Sequence, residues 1–514
     1  MKKTLYIILA GALLATSCDN ELDRLNPNAP TTELFWQNAT DAQQGVNAIY
    51  STLHRGAISR WQWFYFTIRS DEGFSVSPAT DIINNMDRFL VTDLNYGNMV
   101  GVYSDNYIGI FRANQVLDNV PNIDMDPALK QRLIGEAKFL RGLYYFNLAS
   151  LWGNVPLLLQ TSQPSDLPPT SPREQVWAQI EQDLTDAAAA LPVSYTGNDI
   201  GRATKGAANA LLAKTYMQAG DYSAALEPLE WLVKGEGSTV YDLIPDYRDN
   251  FLKSTENNPE SVFEWQFAEN PSEFTDNDVQ TPNQNYGTSL PQFLSPANVG
   301  FSDGEAFRWL VKEFEEEKTA NGERDPRLAA SFIFDSTDVR GPEFTMVYGR
   351  TFKERYGTDN RRVWFRKFLS DTDPGRTGEG FRSANNYRYI RYSEVLLLYA
   401  EALNAVGRTE EAYPYVDRVR ERVGLAPLSD VKPGLNQQQF LEQLKHERIT
   451  ELAGEGHRWN DLDRWGYFTD QQKINELIQR DPAFANFKVG RDEFLPIPQR
   501  DVDINPNLSQ NPNW

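Results

Sequence analysis

The stretch Arg60-Trp61-Gln62-Trp63-Phe64-Tyr65-Phe66 places flat aromatic faces beside a guanidinium and a planar amide. Those residue types suit one chemistry well: rings stack on the C–H-rich faces of pyranose or furanose sugars, while planar polar groups hydrogen-bond paired hydroxyls. Alternation over 61–66 predicts Trp61 and Trp63 on one face of a strand and Phe64 and Phe66 on the other. The same residues would equally build a buried strand or a packed loop. Ser70 to Arg88 adds Asp71, Glu72, Phe74, Asp81, Asn84, Asn85 and Asp87. A later stretch, 270–310, adds Asn283, Asn285, Tyr286, Phe293 and Trp309. Trp309 shares a helical pattern with Phe307 and Phe314 and reads as core; Tyr286, among Asn, Gly and Thr, reads as exposed.

Other groups look chemical but read as structural. Arg458, Asp461, Asp463 and Arg464 would form an ion-pair network at a helix end. His446 and His457 would lie about three turns apart on a continuous helix, too far to share a metal unless the chain bends at Gly454 and Gly456. With three His and one Cys in the chain, zinc sites of the usual His and Cys type are disfavoured. The acidic loops 242–278 and 371–379 could offer calcium oxygen ligands, without EF-hand spacing. With 71 acidic residues, a glycosidase-type carboxylate pair is compatible with composition.

The elements that must position these residues are mostly helical. Ala42, Val46, Ile49, Tyr50 and Leu53 predict a first helix, with Thr40 as its N-cap. Further helical faces run through Tyr103 to Leu117, Leu133 to Leu151, and Val176 to Leu191, the last stopped by Pro192. Residues 203–234 read as helix, tight turn, helix, with Leu212, Ala213, Tyr216, Gly220, Ala225 and Leu229 on the large-small-large spacing of a tetratricopeptide unit. Tyr399, Ala400, Leu403, Gly407, Ala412, Val416 and Val419 repeat the pattern within 389–423. Helices follow at 437–454 and 471–480. Between these lie 55–102 and 235–388, rich in Gly, Asn, Asp, Pro and aromatics, with short strands predicted at 262–267 and 387–391. Insertions this long inside a compact protein usually carry function.

The 514 residues carry a formal charge of −21, which disfavours nucleic acid and anionic lipid as partners. Lys2, Lys3 and the apolar run from Leu5 to Ala15 read as a secretory signal, too short for a membrane span of about 20 residues. The chain's one cysteine, Cys18, follows this signal after Thr16 and Ser17. It reads as a lipidation site, although a strict lipobox would carry Leu at position 15, where Ala15 stands. Residues 18–30 would then be an acidic, Pro-containing tether holding a soluble body, 31–514, to a membrane. Each buried lipid CH₂ would add about 0.8 kcal/mol of anchoring.

Taken in order, these landmarks resemble the SusD/RagB family of outer-membrane nutrient-binding lipoproteins over nearly the whole chain. The resemblance rests on Phe35-Trp36, Asp41-Ala42, Ser70-Asp71-Glu72, and Ala137 to Phe146 closed by Leu151-Trp152-Gly153-Asn154-Val155-Pro156. It continues through Gly201-Arg202-Ala203-Thr204, Asp325-Pro326-Arg327-Leu328, Ile390 to Val395, His446-Glu447-Arg448 and Arg458 to Gly466. Leu495-Pro496-Ile497-Pro498 and Gln510-Asn511-Pro512 complete it.

The resemblance implies a mainly α fold of about four tetratricopeptide-like helix pairs, a large irregular loop-rich half and a few short strands. The helices would fall mainly within 31–54, 103–234 and 389–480. It implies a non-enzymatic, cell-surface lipoprotein of the outer membrane. This protein would capture oligosaccharides and deliver them, as a lid, to a SusC-like TonB-dependent β-barrel transporter contacted through the helical side. The competing readings are a peptide-binding or purely structural lid and a surface glycoside hydrolase. By region, the family points to the loop after Ser70-Asp71-Glu72 for ligand contacts. The expected glycan-binding residues are Arg60, Trp61, Trp63, Phe74, Asp81, Asn84, Asn85, Tyr286 and Phe293. No cofactor is expected beyond a structural calcium ion.

Overall fold

The computed structural model describes residues 35–76, 81–269, 286–335, 346–357, 361–373 and 375–514. Cys18, the tether, Asn283 and Asn285 lie outside the described residues, as does the side chain of Asp81. Among the described residues, no helix is long and apolar enough to cross a membrane.

The main helices are α1 (Ala39–Tyr50), α2 (Gln62–Thr67), α3 (Asp81–Asp87), α4 (Gly97–Asn119), α5 (Pro127–Leu151), α6 (Arg173–Ala190), α7 (Lys205–Gln218) and α8 (Leu226–Val233). They continue with α9 (Arg308–Glu315), α10 (Tyr392–Ala405), α11 (Thr409–Arg422), α12 (Gln437–Leu452), α13 (Arg458–Arg464) and α14 (Gln471–Arg480). Helix α1 begins with a capping box, two residues earlier than the N-cap its sequence suggested. The side chain of Asn38, not Thr40, accepts from the Thr40 and Asp41 amides, and Asp41 accepts back from the Asn38 amide. An amide side chain and a carboxylate thus satisfy orphan donors that a lone Thr would leave open.

The helices form one continuous stack. Helix α4 packs on α5, α5 on α6, α6 on α7, α7 on α8, α8 on α10, and α10 on both α11 and α12. The two tetratricopeptide-like units, far apart in sequence, are therefore neighbours in space, and residues 235–388 loop out between them. Small residues permit the close approach. A Cβ on Gly109 of α4 would sit 2.3 Å from the Tyr144 ring of α5. The tight turns after α7 and α10 use Gly220 and Gly407 at φ +87° and +82°, the left-handed region glycine enters without a steric penalty.

The looped-out half has little regular structure. Its strands pair in twos: β1 (Gly73–Ser75) with β3 (Gly304–Ala306), β2 (Ser261–Trp265) with β6 (Tyr387–Arg391), and β4 (Phe332–Ile333) with β5 (Trp364–Phe365), all antiparallel. Strands β2 and β6 fall at the segments, 262–267 and 387–391, where short strands are expected. Strand β6 runs straight into α10, and the Tyr392 amide donates to the Glu260 carbonyl at 2.7 Å, so this ladder joins the loop-rich half to the scaffold.

One expectation fails. Residues 57–67 are helical, a π-helical turn over Ala57–Trp61 continuing into α2, not an alternating strand. Every residue from Ala57 to Thr67 is buried, and a helix covered on all sides carries no amphipathic period to read.

Candidate functional site

Burial decides the fate of the aromatic cluster. Trp61 and Trp63 are only 5% and 3% exposed, and Arg60 and Phe293 are buried with them. The Trp63 indole donates to the Gly454 carbonyl at 2.8 Å, and its ring meets Phe365 edge-on. The Arg60 guanidinium lies 4.2 Å from the Trp61 ring centroid and 4.3 Å from that of Phe293, and donates to Ser289 Oγ. These four residues therefore do not offer free faces to a ligand. Their burial makes them core, with Arg60 held by cation–π contacts and a hydroxyl.

The exposed rings lie one layer out. Phe293 meets Phe301 at 5.1 Å, and Phe301 meets Phe381 at 5.6 Å. Phe301 is 50% exposed and Tyr286 41%, whereas Phe381 is half-buried. Phe301 is displayed by a constrained loop. Asn298 and Ser302 take φ of +72° and +59°, rare for residues with a Cβ. The Phe301 amide donates to the Gln292 carbonyl and the Asp303 amide to the Phe293 carbonyl, both at 2.8 Å. Gly300 is pressed against Ser295, where a Cβ would fall 1.8 Å from Oγ. Ser302 Oγ in turn accepts from the Trp364 indole and Arg362. These contacts over-determine the rare backbone conformation and fix the loop's shape.

Beside these rings opens a cleft of about 840 Å³, lined in part by Phe251, Lys253, Glu269, Asp373, Arg376 and Asn385. Residues 369–385 form the wall it shares with the aromatic surface. Asp373, Arg376 and Asn385 face the cleft; Phe381 meets Phe301; Ser383 bridges Thr288; and the Glu379 amide donates to the Val299 carbonyl. The Tyr286 backbone lies next to this rim, its carbonyl accepting from the amide of Ala268, the neighbour of Glu269. Two cations and two acids around the rim give a mixed field, suited to a neutral polyhydroxylated ligand better than to a polyanion.

Of the other expected site residues, Phe74 is half-buried on β1 and packs on Phe307 at 4.8 Å. Asn84 and Asn85 are half-buried on α3 and do not line the cleft. The β1–β3 ladder nevertheless brings this region close to the display loop: the Val76 amide donates to the Asp303 carbonyl, two residues from Phe301. Sequence reading missed Phe301 and Phe381. The available signal was an aromatic flanked by Gly300, Ser302 and Gly304, a turn-tip pattern.

The charged groups are structural. Arg458 holds Asp71 bidentately at 2.7 and 2.9 Å, and Arg480 adds 3.2 Å. Burial pushes the Asp71 carboxyl up, but the two guanidinium groups outweigh it and hold it below the ordinary range. Its neighbour Glu72 accepts from the Gly454 amide, and burial raises its pKa to about 8. Asp461 bridges Arg448 and Arg464, Arg464 also pairs with Glu401, and Asp463 pairs with Arg173. His446 Nδ1 lies 2.8 Å from Glu313, while His457 sits with Lys214 and Glu394, so the two imidazoles serve different contacts. Trp309 is half-buried; its indole donates to the Asp71 carbonyl and Arg480 stacks on its ring.

The largest charge network joins the two halves. Arg391 binds Glu260, Glu451 and Glu455 at 2.6, 2.8 and 2.7 Å, with every side chain fully buried. Arg422 and Arg327 also reach Glu451, and Lys367 reaches Glu455.

A stack of tetratricopeptide-like helices bearing a loop-rich half seated by buried ion pairs defines the class: helical-scaffold proteins with long, irregular insertions. Within that class the chain belongs to the SusD family. The SusD family model matches residues 259–514, and a model described as starch-binding, associating with the outer membrane, matches 22–217. A SusD-like protein of Formosa agariphila is 27% identical, covering 99% of this chain and 98% of its own. A SusD superfamily crystal structure from Bacteroides vulgatus superposes with a TM-score of 0.80 at 26% identity, over 93% of this chain and all of that one. A structure described as a laminarin-binding SusD-like protein gives 0.75 at 28% identity, again over 93% of this chain and 100% of its own.

Proposed function

We propose that this protein is a non-catalytic glycan-binding lipoprotein of the outer membrane, anchored at Cys18 and facing outward. It captures oligosaccharides on its loop-rich half and passes them, as a lid, to a SusC-like TonB-dependent transporter. The observation that carries the ligand site is the pair of exposed rings, Phe301 and Tyr286, beside a mixed-charge cleft. Exposed aromatic faces grouped at a polar cleft are the kind of surface that a ligand covers. Membership of the SusD family and similarity to a laminarin-binding protein support a carbohydrate.

The test is titration calorimetry of the purified protein against a glycan panel headed by laminarin oligosaccharides and including small peptides, with each mixture then assayed for cleavage. The expected result is binding to a glycan class without cleavage, weakened about tenfold or more by Phe301→Ala or Tyr286→Ala. Silence across the panel would favour a purely structural lid, peptide binding would replace the ligand class, and cleavage would overturn the non-catalytic reading.

A further inference from the structure

Among the described residues, one set of His and carboxylate groups brings three potential metal ligands together: Glu313, Glu316 and His446, whose donor atoms all lie within 4.8 Å of one another. Glu313 is in the last turn of α9 and Glu316 caps its end, a spacing of three that places both on one side of the helix. His446 comes from α12, which packs against α9. The His446 Nδ1 to Glu313 Oε1 distance is 2.8 Å. Two ligands each about 2.0–2.1 Å from a zinc ion at the tetrahedral angle would stand about 3.3 Å apart, so this hydrogen-bonded pair needs to open by only about 0.5 Å to admit the ion.

Glu313 is paired with His446, and Glu316 is the group left over. Glu317 is paired with Arg420 and Lys432, and Glu447 with Arg420. Glu316 is exposed and has no side-chain partner among the described residues. An unpaired carboxylate thus faces an imidazole–carboxylate pair across the junction between the loop-rich half, which contributes α9, and the scaffold, which contributes α12.

We propose that Glu313, Glu316 and His446 chelate a first-row transition-metal dication, zinc in the first instance, and that the ion clips the loop-rich half to the scaffold. One nitrogen and two carboxylate oxygens form a borderline donor set. It favours zinc over calcium or magnesium, which take oxygen ligands almost exclusively. Water would complete the coordination. Binding to the folded state alone raises thermal stability by mass action.

The test uses untagged, chelator-treated protein and zinc chloride, with calcium chloride as the control. Calorimetry should give one zinc per chain, and zinc should raise Tm where equal calcium does not. Glu316→Gln, at an exposed position that leaves folding intact, should weaken zinc at least about tenfold and remove the Tm rise. His446→Gln should do the same. Absence of zinc binding below millimolar concentration would overturn the proposal. So would zinc binding that Glu316→Gln leaves unchanged, or calcium binding as tightly as zinc.

Discussion

The helical scaffold and the loop-rich half are held together by different physics. In the scaffold, Leu140, Leu148, Leu212, Leu403 and Val416 interlock around small residues such as Ala137, Ala213 and Ala400, nearly all fully buried. Such packing is non-directional and tolerates exchange of one apolar side chain for another of similar size. The loop-rich half has two-stranded ladders of two to five residues and depends on directional contacts. Arg391, Arg422, Arg327 and Lys367 reach across to Glu260, Glu451 and Glu455, and Arg248 with Arg366 pins Asp371 beneath the cleft wall. Irregular backbone has few self-consistent ladders, so buried, hydrogen-bonded charges fix its position instead. The difference teaches where each half can vary: the scaffold in its apolar surface detail, the loop-rich half at the rings and rim its ion pairs hold in place.

The sharpest way to break this contrast is Arg391→Met. It leaves three buried carboxylates without their shared partner, and such losses cost about 3–5 kcal/mol. Denaturant unfolding should show that loss, with proteolysis inside 235–388 preceding cleavage of the helices. Uniform susceptibility would show that the halves are not separately held.

Trp61→Ala should cost about 3–5 kcal/mol by opening a cavity beneath the aromatic relay. Under the present account it lowers Tm strongly and affects ligand affinity less than Phe301→Ala does. The reverse order would return Trp61 to the binding surface.

A smaller effect follows from titration. Burial raises Glu72 to about 8, and Glu256 and Asp481 to about 7 each. The native protein therefore keeps protons that the unfolded chain releases, and stability falls as pH rises from the ordinary carboxylate range through about 8. For Asp71, Glu451 and Asp461, burial opposes ionisation but neighbouring arginines prevail, holding their carboxyls low. Their contribution is complete above the ordinary carboxylate range and is lost as pH falls below it. Thermal melts should peak near about pH 5, and Glu72→Gln should flatten the decline toward pH 8. A melting temperature that rises from pH 5 to 8 would contradict this assignment.

The scaffold was readable because packing leaves a periodic trace. The small-large spacing around Gly220 and Gly407 located both tetratricopeptide-like pairs, and β2 and β6 coincide with the short strands expected at 262–267 and 387–391. The helix at 57–67 was hidden because burial on every side erases the period. Within the candidate site, the exposure of Tyr286 was legible from its polar, turn-forming neighbours. Phe301 was not, since its display depends on left-handed backbone at Asn298 and Ser302 and on contacts from Gln292 and Trp364, none close in period to it. The rim residues Asp373, Arg376 and Asn385 converge with Lys253 only through the fold.

Hydrogen–deuterium exchange of the protein with and without its bound oligosaccharide tests the central claim most directly. Protection concentrated in 286–303 and 369–385, with the helices α4 to α8 unchanged, is the predicted result. Protection confined to the helical scaffold, with those two segments unaffected, would contradict it.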